Sequence, residues 1–223
     1  MRITAVIPAL DEEAAIGLVV KEIPRDLVEE VLVVDNGSTD RTADVARAAG
    51  ARVIHEPVRG YGAACLAGAR AAQAAGILVF LDGDGSDNPS EMPAVLRPVL
   101  LGEADLVIGA RVPEDGALAA HQRFGNLLVT WMMRLLYGLP LSDFGPFRAI
   151  RADVLQDLGM EHKTYGWPVE MIVKAARKGY RVVEVPVSCR KRIGHSKVAG
   201  TLKGSILAGY HLLATTVRYA WRA

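Results

Sequence analysis

Short hydrophobic runs recur along the first half of the chain, and alanine-rich stretches separate them. The runs predict five β-strands, at 3–9, 30–36, 51–56, 77–84 and 104–110. They are continuously apolar rather than alternating, which is typical of strands that are covered on both faces. The stretches between them predict four helices, at 12–22, 38–49, 62–75 and 91–101. Strands that alternate with helices favour right-handed βαβ units, so we expect an α/β fold with a mainly parallel, Rossmann-like sheet flanked by helices.

The second half of the chain is less regular. It predicts a strongly apolar helix at 123–137, a helix at 167–178, a strand at 181–187 and a last helix at 201–221. The last helix is amphipathic, with a basic arc beside an apolar arc that carries Tyr210 and Trp221, a pattern typical of helices at a membrane surface. The alternative for this helix is packing on the sheet or against a second subunit. The helix at 123–137 is too apolar for a free surface, and we expect it either to lie at the membrane beside a lipid acceptor or to form a homodimer contact.

Length and composition set broader limits. A chain of 223 residues that is 51% hydrophobic and 23% charged predicts one globular domain with a short appendage. Two cysteines do not make a disulfide scaffold. The longest uncharged run near the end, 204–217, is shorter than the roughly 20 residues that cross a bilayer. With no apolar leader pattern at the start, we expect a cytoplasmic protein.

The charges nearly cancel, but they are unevenly placed. The formal net charge of +1 argues against nucleic acid as a partner bound through bulk charge. No acidic residue follows Glu184, whereas seven basic residues do, which leaves residues 1–189 at −6. A basic end on an acidic body indicates an anionic partner near the C-terminus.

Acidic residues follow three of the predicted strands, where open α/β sheets bind their ligands. They occur in the segments 11–13, 35–40 and 82–87. Acids at helix N-termini also complement the helix dipole, which is the alternative reading of Glu12 and Glu13. The first turn has no glycine, which argues against a dinucleotide-binding site. Arg59-Gly60-Tyr61-Gly62 opens a helix, but one Gly-x-Gly is equally typical of a tight turn.

Asp82-Gly83-Asp84 is the most informative short motif. Two carboxylates just after a buried strand are suited to one hard cation, and Mg²⁺ and Mn²⁺ prefer such oxygen ligands. Two enzyme classes place this pattern after a strand. In phosphatases similar to haloacid dehalogenases the first Asp is a nucleophile, but there the motif lies on the first strand, with further acids late in the chain. In nucleotide-sugar glycosyltransferases the pair holds a metal on the donor diphosphate.

The order of the motifs favours the second class. Segments 6–13, 33–40, 59–62 and 80–85 resemble, in that order, those of family 2 glycosyltransferases, which have the GT-A fold. Segments 143–149 and 190–197 resemble the dolichyl-phosphate mannosyltransferase branch. The resemblance covers about residues 3–200, so we expect a transferase domain at 1–200 and an amphipathic helix at 201–223.

The resemblance implies roles for individual residues. It assigns the nucleotide sugar to Pro8, Ala9, Leu10, Glu12, Asp35, Gly60, Asp82, Gly83 and Asp84. It assigns Mg²⁺ or Mn²⁺ to Asp82 and Asp84, and phosphate contacts to Arg111, Arg148, Arg192, Ser196 and Lys197. There are two departures from the family pattern. Ser86 replaces the usual Gln after the metal motif, and Gly145-Pro146 replaces the usual Ser-Gly before Phe147-Arg148.

The implied reaction moves a sugar from a GDP- or UDP-sugar to a polyprenyl phosphate, with inversion, at the inner face of the plasma membrane. Asp84 and Arg148 would stabilise the leaving diphosphate. A phosphate acceptor is already anionic and needs no general base, whereas a hydroxyl acceptor does. Glu170 is the candidate for that base, and its alternative is a structural carboxylate on a helix. A nucleotide-sugar-binding subunit without enzyme activity is the remaining alternative.

Overall fold

The computed structural model describes residues 1–72, 74–114 and 120–194, and for 120–124 it describes the backbone alone. The predicted helix at 201–221 lies outside these ranges, as do Ser196 and Lys197.

A seven-stranded sheet forms the centre of the described chain, in the order β3-β2-β1-β4-β6-β5-β7. The strands are β1 Ile3–Ala9, β2 Glu30–Asp35, β3 Arg52–His55, β4 Ile77–Phe80, β5 Leu106–Pro113, β6 Arg148–Arg151 and β7 Val182–Cys189. Pairing is parallel except at β6, which runs antiparallel to both β4 and β5. The predicted mainly parallel α/β sheet is confirmed.

Helices cover both faces of the sheet. They are α1 Ile16–Glu22, α2 Thr42–Ala48, α3 Tyr61–Ala71, α4 Met92–Leu100, α5 Ala120–Tyr137, α6 Ala152–Leu158 and α7 Trp167–Arg177. One core cluster joins the sheet to α1, α2 and α4, and a second joins its other face to α3, α5, α6 and α7. In β1, Ala5 and Ile7 face the first cluster and Val6 faces the second, which explains the continuous apolar run.

The starts of α1 and α2 differ from the sequence prediction because the preceding residues form interlocked loops. The Asp11 amide donates to Ser38 Oγ at 2.9 Å, and the Thr39 amide donates to Asp11 Oδ1 at 2.6 Å. The segment Ser38-Thr39-Asp40 consists of residue types that often cap helices, but Arg41 occupies the cap position of α2 and its side chain makes no capping hydrogen bond. The two loops fix each other at the ends of β1 and β2.

Parallel pairing of β1 with both β2 and β4 brings the carboxyl ends of these strands to one edge. Leu10, Asn36 and Leu81 follow the three strands directly, and the acidic motifs follow them in turn. Among the described residues, no helix combines the length and apolar character that a membrane crossing requires.

Candidate functional site

A cavity of about 400 Å³ opens at this edge of the sheet. The turn after β1, the loop after β4, the start of α3 and a loop before α7 form its walls. The lining residues are Pro8, Ala9, Leu10, Glu12, Asn36, Arg59, Gly60, Tyr61, Ala64, Asp82, Gly83, Asp84, Thr164, Tyr165 and Arg192. Eight of the nine residues predicted to hold a nucleotide sugar are therefore brought together in one cavity, the exception being Asp35.

Three carboxylates crowd the loop that follows β4. Asp87 Oδ2 accepts the Asp82 amide at 2.9 Å, and Asp84 Oδ1 accepts the Ser86 amide at 2.9 Å. Burial, followed by the charges of Asp84 and Asp87, raises the pKa of Asp82 well above its ordinary value. Burial raises the pKa of Asp87 to about 7. Burial thus favours the neutral form of these carboxyls, and a cation bound beside them would favour the ionised form.

Arg192 supplies one positive charge to this group. Its Nη1 lies 3.3 Å from Asp84 Oδ2, and its Nη2 donates to Glu12 Oε1 at 2.9 Å. Backbone hydrogen bonds from Arg190 to the Ser86 carbonyl and from Ile193 to the Asp84 carbonyl, both 2.8 Å, hold this segment against the acidic loop. Arg192 therefore links the loop that follows β1 to the loop that follows β4, across the cavity.

The donor atoms present fit a divalent cation that is shared with a phosphate ligand. Asp82 Oδ1 is buried and has no hydrogen-bond partner among the described residues. Within the same ranges, no cluster of three or more His, Cys, Asp or Glu side chains is arranged as a complete metal site. Mg²⁺ typically binds through one or two carboxylates plus substrate phosphates, so two carboxylates are sufficient protein ligands.

The sequence analysis missed several lining residues. Thr164 and Tyr165 belong to a loop with no recognisable motif, and Asn36 was passed over in favour of its neighbour Asp35. Asp35 is buried, with Oδ1 accepting the Ser38 amide and Oδ2 lying 2.9 Å from His55 Nδ1. Both oxygens therefore have partners within the protein, and Asn36 is the residue that faces the cavity.

Arg111 and Arg148 were expected near phosphates, but neither lines the described cavity. Arg111 makes a bidentate pair with Asp143, at 2.7 and 2.8 Å. Burial alone would lower the pKa of Arg111, but the bonds to Asp143 outweigh it and raise the pKa. Arg148 is completely buried, and its guanidinium donates to the carbonyl oxygens of Phe144, Gly145 and Pro168. These geometries favour structural roles for both arginines.

Glu170 also lies away from the cavity. It is fully buried in the first turn of α7, where Oε1 accepts the Glu161 amide at 3.0 Å and Oε2 accepts the His162 amide at 2.8 Å. Lys174 Nζ lies 2.8 Å from Oε1. The expectation of a general base at this position is not supported by the geometry, because both oxygens are engaged within the protein.

Comparison with known proteins identifies related sequences. The model of the family described as glycosyl transferase family 2 matches residues 4–159. An uncharacterized glycosyltransferase of Mycobacterium tuberculosis is 42% identical over 208 residues, covering 92% of this chain and 94% of the relative. An undecaprenyl-phosphate mannosyltransferase of Micrococcus luteus is 38% identical, with 92% and 90% covered. A dolichyl-phosphate hexose transferase of Haloferax volcanii is 33% identical, with 88% and 86% covered.

Solved structures share the fold. Glucosyl-3-phosphoglycerate synthase of Mycobacterium tuberculosis, crystallised with Mn²⁺, uridine diphosphate and phosphoglyceric acid, aligns with a TM-score of 0.82 and 25% identity. The alignment covers 100% of this chain and 79% of the synthase. The GT-A fold and the resemblance to the dolichyl-phosphate mannosyltransferase branch, both inferred from the ordered motifs, are confirmed.

Proposed function

This chain belongs to glycosyl transferase family 2 and is a glycosyltransferase, and from that premise we propose that it moves a hexose from a nucleotide sugar to a polyprenyl phosphate. The observation that carries the proposal is the cavity in which Asp82, Asp84, Glu12 and Arg192 converge. Carboxylates that hold a cation and a guanidinium that holds a phosphate are the groups that a nucleoside diphosphate sugar requires.

The donor occupies the cavity at the ends of β1, β2 and β4. Pro8, Ala9 and Leu10 offer an apolar wall to the nucleoside, while Asp82 and Asp84 hold Mg²⁺ or Mn²⁺ beside the diphosphate. When bound, the cation neutralises the charge that develops on the departing diphosphate. The synthase that shares this fold was crystallised with Mn²⁺ and uridine diphosphate, which favours a uridine donor over a guanosine donor.

Arg192 is the residue that changes partners in this scheme. Its guanidinium pairs with Asp84 and Glu12 in the described structure, and both carboxylates line the donor cavity. A diphosphate offers it stronger, bidentate acceptors. Arg192 then stabilises the leaving group together with Ser196 and Lys197, which follow it in sequence and lie outside the described residues.

The acceptor is proposed to be an anionic lipid phosphate. The undecaprenyl-phosphate and dolichyl-phosphate transferases similar to this chain act on such acceptors by name. A lipid phosphate is ionised at neutral pH and attacks without a base, which agrees with the engagement of Glu170 inside the protein. The solved synthase favours a second candidate, a small phosphorylated hydroxyl acceptor such as phosphoglyceric acid.

A lipid acceptor requires contact with a membrane surface. On α5, Leu127, Trp131 and Leu135 are 66%, 58% and 67% exposed and recur at the spacing of one helix face. We propose that this face enters the interface, that residues 1–200 form the transferase domain, and that 201–223 adds a second amphipathic contact. The protein then works as a peripheral enzyme on the cytoplasmic side.

The proposal is tested by a thermal-shift screen of UDP- and GDP-sugars with and without Mn²⁺, followed by transfer assays. The donor that raises the melting temperature is offered undecaprenyl phosphate, dolichyl phosphate and 3-phosphoglycerate. Transfer to a lipid phosphate supports the proposal. Transfer to phosphoglycerate alone supports the second candidate, and binding of a donor without transfer to any acceptor supports a binding subunit.

A further inference from the structure

A short loop before α7 forms part of the cavity wall. We call residues 161–165 the wall loop. Thr164 and Tyr165 line the same cavity as Asp82 and Asp84. The loop therefore contributes to the shape of the donor site, although no chemical motif marks it in the sequence.

The start of α3 holds one side of the wall loop. The Ala63 amide donates to the Lys163 carbonyl at 2.9 Å. A Cβ on Gly60 would lie 2.2 Å from the Lys163 carbonyl oxygen, and one on Gly62 would lie 2.1 Å from the His162 carbonyl oxygen. Such distances are far inside contact range, so only glycine permits this approach. The Arg59-Gly60-Tyr61-Gly62 motif thus allows the wall loop to pack closely against the start of α3.

Glu170 holds the other side of the loop. One carboxylate oxygen accepts the Glu161 amide at 3.0 Å and the other accepts the His162 amide at 2.8 Å. A buried charge needs a partner, and Lys174, one turn later on α7, lies 2.8 Å from Oε1. Lys174 Nζ also donates to the Gly159 carbonyl at 2.6 Å, which ties the chain just before the loop to the same helix.

We propose that Glu170 is a positioning residue that fixes the wall loop for donor binding, with Lys174 as its counter-charge. This inference rests on the proposed function, because it assigns the wall loop to the donor site. A general base must lie within about 3 Å of the proton it removes, or one water away from it. Glu170 is instead fully buried and does not line the described cavity.

The test compares Glu170→Gln and Lys174→Met with Lys178→Met. Lys178 makes the matched control because its Nζ pairs with exposed Asp157, at 2.9 Å, on α6. Amide hydrogen exchange at Glu161 and His162 reports the loop directly. Calorimetry with Mn²⁺ and whichever of UDP and GDP stabilises the protein reports the donor site. The pH dependence of the transfer rate shows whether Glu170 acts as a general base.

We expect amide exchange at 161–162 to rise about tenfold in Glu170→Gln, since a charge-assisted hydrogen bond is lost. Nucleotide affinity falls by a similar factor, kcat falls less than tenfold, and the pH profile is unchanged. Lys174→Met shifts exchange and affinity in the same direction, and Lys178→Met shifts neither. If Glu170→Gln does not fold, Lys174→Met carries the test.

Two results overturn the inference. Unchanged amide exchange and nucleotide affinity in both loop variants show that the wall loop does not depend on Glu170. A loss of about 10²–10⁴-fold in kcat with the acidic limb of the pH profile abolished, at unchanged affinity, identifies a general base. Absence of transfer by the wild-type protein overturns the proposed function instead. Amide hydrogen exchange and nucleotide affinity then still show whether Glu170 positions the wall loop.

Discussion

The guanidinium of Arg192 lies 3.3 Å from the carboxylate of Asp84, and both side chains line the cavity at the edge of the sheet. The other terminal nitrogen of the same side chain, Nη2, donates to Glu12 Oε1 at 2.9 Å. In the proposed mechanism Asp84 also holds a divalent cation, so we expect cation and arginine to compete for this carboxylate. The proposed function therefore gives Arg192 two effects: it opposes binding of a free cation, and it supplies positive charge to a bound diphosphate.

Replacing Arg192 with Gln separates these two effects. The variant is expected to bind Mn²⁺ alone about tenfold more tightly, because the competing charge is removed. Transfer is expected to slow at least tenfold, because the departing diphosphate loses a charge-assisted partner worth about 1.5–3 kcal/mol. Calorimetry with Mn²⁺ and initial transfer rates measure the two changes.

Lys191→Gln is the matched control, because Lys191 is the exposed neighbour of Arg192 and carries the same charge. It is expected to leave both measurements near the wild-type values. If Arg192→Gln weakens Mn²⁺ binding, or if Lys191→Gln reproduces its effects, the competition is absent and general charge explains the result.

Replacing Asp84 with Asn tests the metal pair. The variant keeps an acceptor for the Ser86 amide but loses the charge that holds a cation. Transfer is expected to fall by about 100-fold or more, in line with the loss of other preorganised electrostatic contacts. The stabilisation that Mn²⁺ adds to nucleotide binding in a thermal-shift assay disappears as well.

Asp44→Asn controls for the removal of one acidic charge, because Asp44 pairs with Arg47 at the protein surface. This variant is expected to behave as wild type. Full transfer by the wild-type protein in EDTA would falsify the role of the metal pair, whatever Asp84→Asn does.

Replacing Gly62 with Ala tests the close packing of the wall loop against the start of α3. The new Cβ would meet the His162 carbonyl oxygen at 2.1 Å and the Trp167 Cβ at 2.9 Å. Overpacking of this kind costs about 1–3 kcal/mol, and we expect the free energy of unfolding to fall by that amount, together with nucleotide affinity. Urea denaturation measures the first and calorimetry the second.

Gly125→Ala, in α5, is the control substitution, because no clash is expected there. Apart from its chain neighbours and the backbone of its own helix, a Cβ there has no atom of the described residues within 4 Å, so the alanine adds helix propensity worth about 1 kcal/mol without a clash. We expect this variant to be as stable as wild type or more stable. Equal destabilisation by both alanines would show that the wall loop does not approach Gly62 closely.

Asp105 provides a pH-dependent test of the second half of the sheet. It is buried, and it accepts the Arg181 amide at 2.9 Å and Arg151 Nη1 at 3.3 Å. Burial alone would raise the pKa of Asp105, but the bonds from Arg181 outweigh it and hold the pKa below 3.8. The native state therefore favours the ionised carboxylate. Its stabilisation is complete above pH 3.8 and is lost as the pH falls through the lower native pKa.

Asp105→Asn is accordingly expected to lose about 2 kcal/mol at pH 7, the scale of a hydrogen bond to a charged group. In denaturation experiments the deficit narrows as the pH falls below 3.8 and through the lower native pKa, because the Asp105 carboxyl then becomes neutral, as the amide of the variant is. Asp153→Asn removes a more exposed partner of Arg151 and is expected to cost about 0–1 kcal/mol. A deficit that does not depend on pH would indicate a packing defect.

The sheet and the acidic edge could be predicted because both follow from local sequence. Continuous apolar runs marked β1, β2 and β4, and the acids beyond them marked the edge of the sheet at which the cavity opens. The strand β6 could not be predicted, because its Arg148–Arg151 sequence begins and ends with charge and its place in the sheet depends on pairing with β4 and β5. Its antiparallel direction depends on those partners, which are distant in sequence.

The rest of the site depends on contacts between distant segments. Glu12 and Arg192 are 180 residues apart in sequence, and no local pattern pairs them. The wall loop contacts the start of α3 from about 100 residues later in the chain, so no local pattern marked its residues Thr164 and Tyr165. Glu170 was singled out as a chemical group, but its hydrogen bonds to the loop amides are visible only in three dimensions.

The exposed face of α5 provides the last prediction. Replacing Trp131 and Leu135 with Ser removes two side chains that are 58% and 67% exposed. The free energy of unfolding is expected to change by less than about 1 kcal/mol, because exposed apolar groups contribute little to the core. Binding to vesicles that contain anionic lipid is expected to fall at least tenfold, since Trp and Leu enter the interface of a bilayer. Flotation at low salt measures it.

The control for this variant lies at the end of α4, where Leu100 and Leu101 are 49% and 58% exposed. Replacing both with Ser removes a comparable number of exposed apolar side chains from a different surface, and vesicle binding is expected to be unchanged. Transfer to undecaprenyl phosphate in vesicles should then fall only in the α5 variant, whereas nucleotide affinity stays constant in both, because neither surface lines the described cavity. Equal loss of vesicle binding in the two variants would show that general surface hydrophobicity, and not the α5 face, directs the protein to lipid.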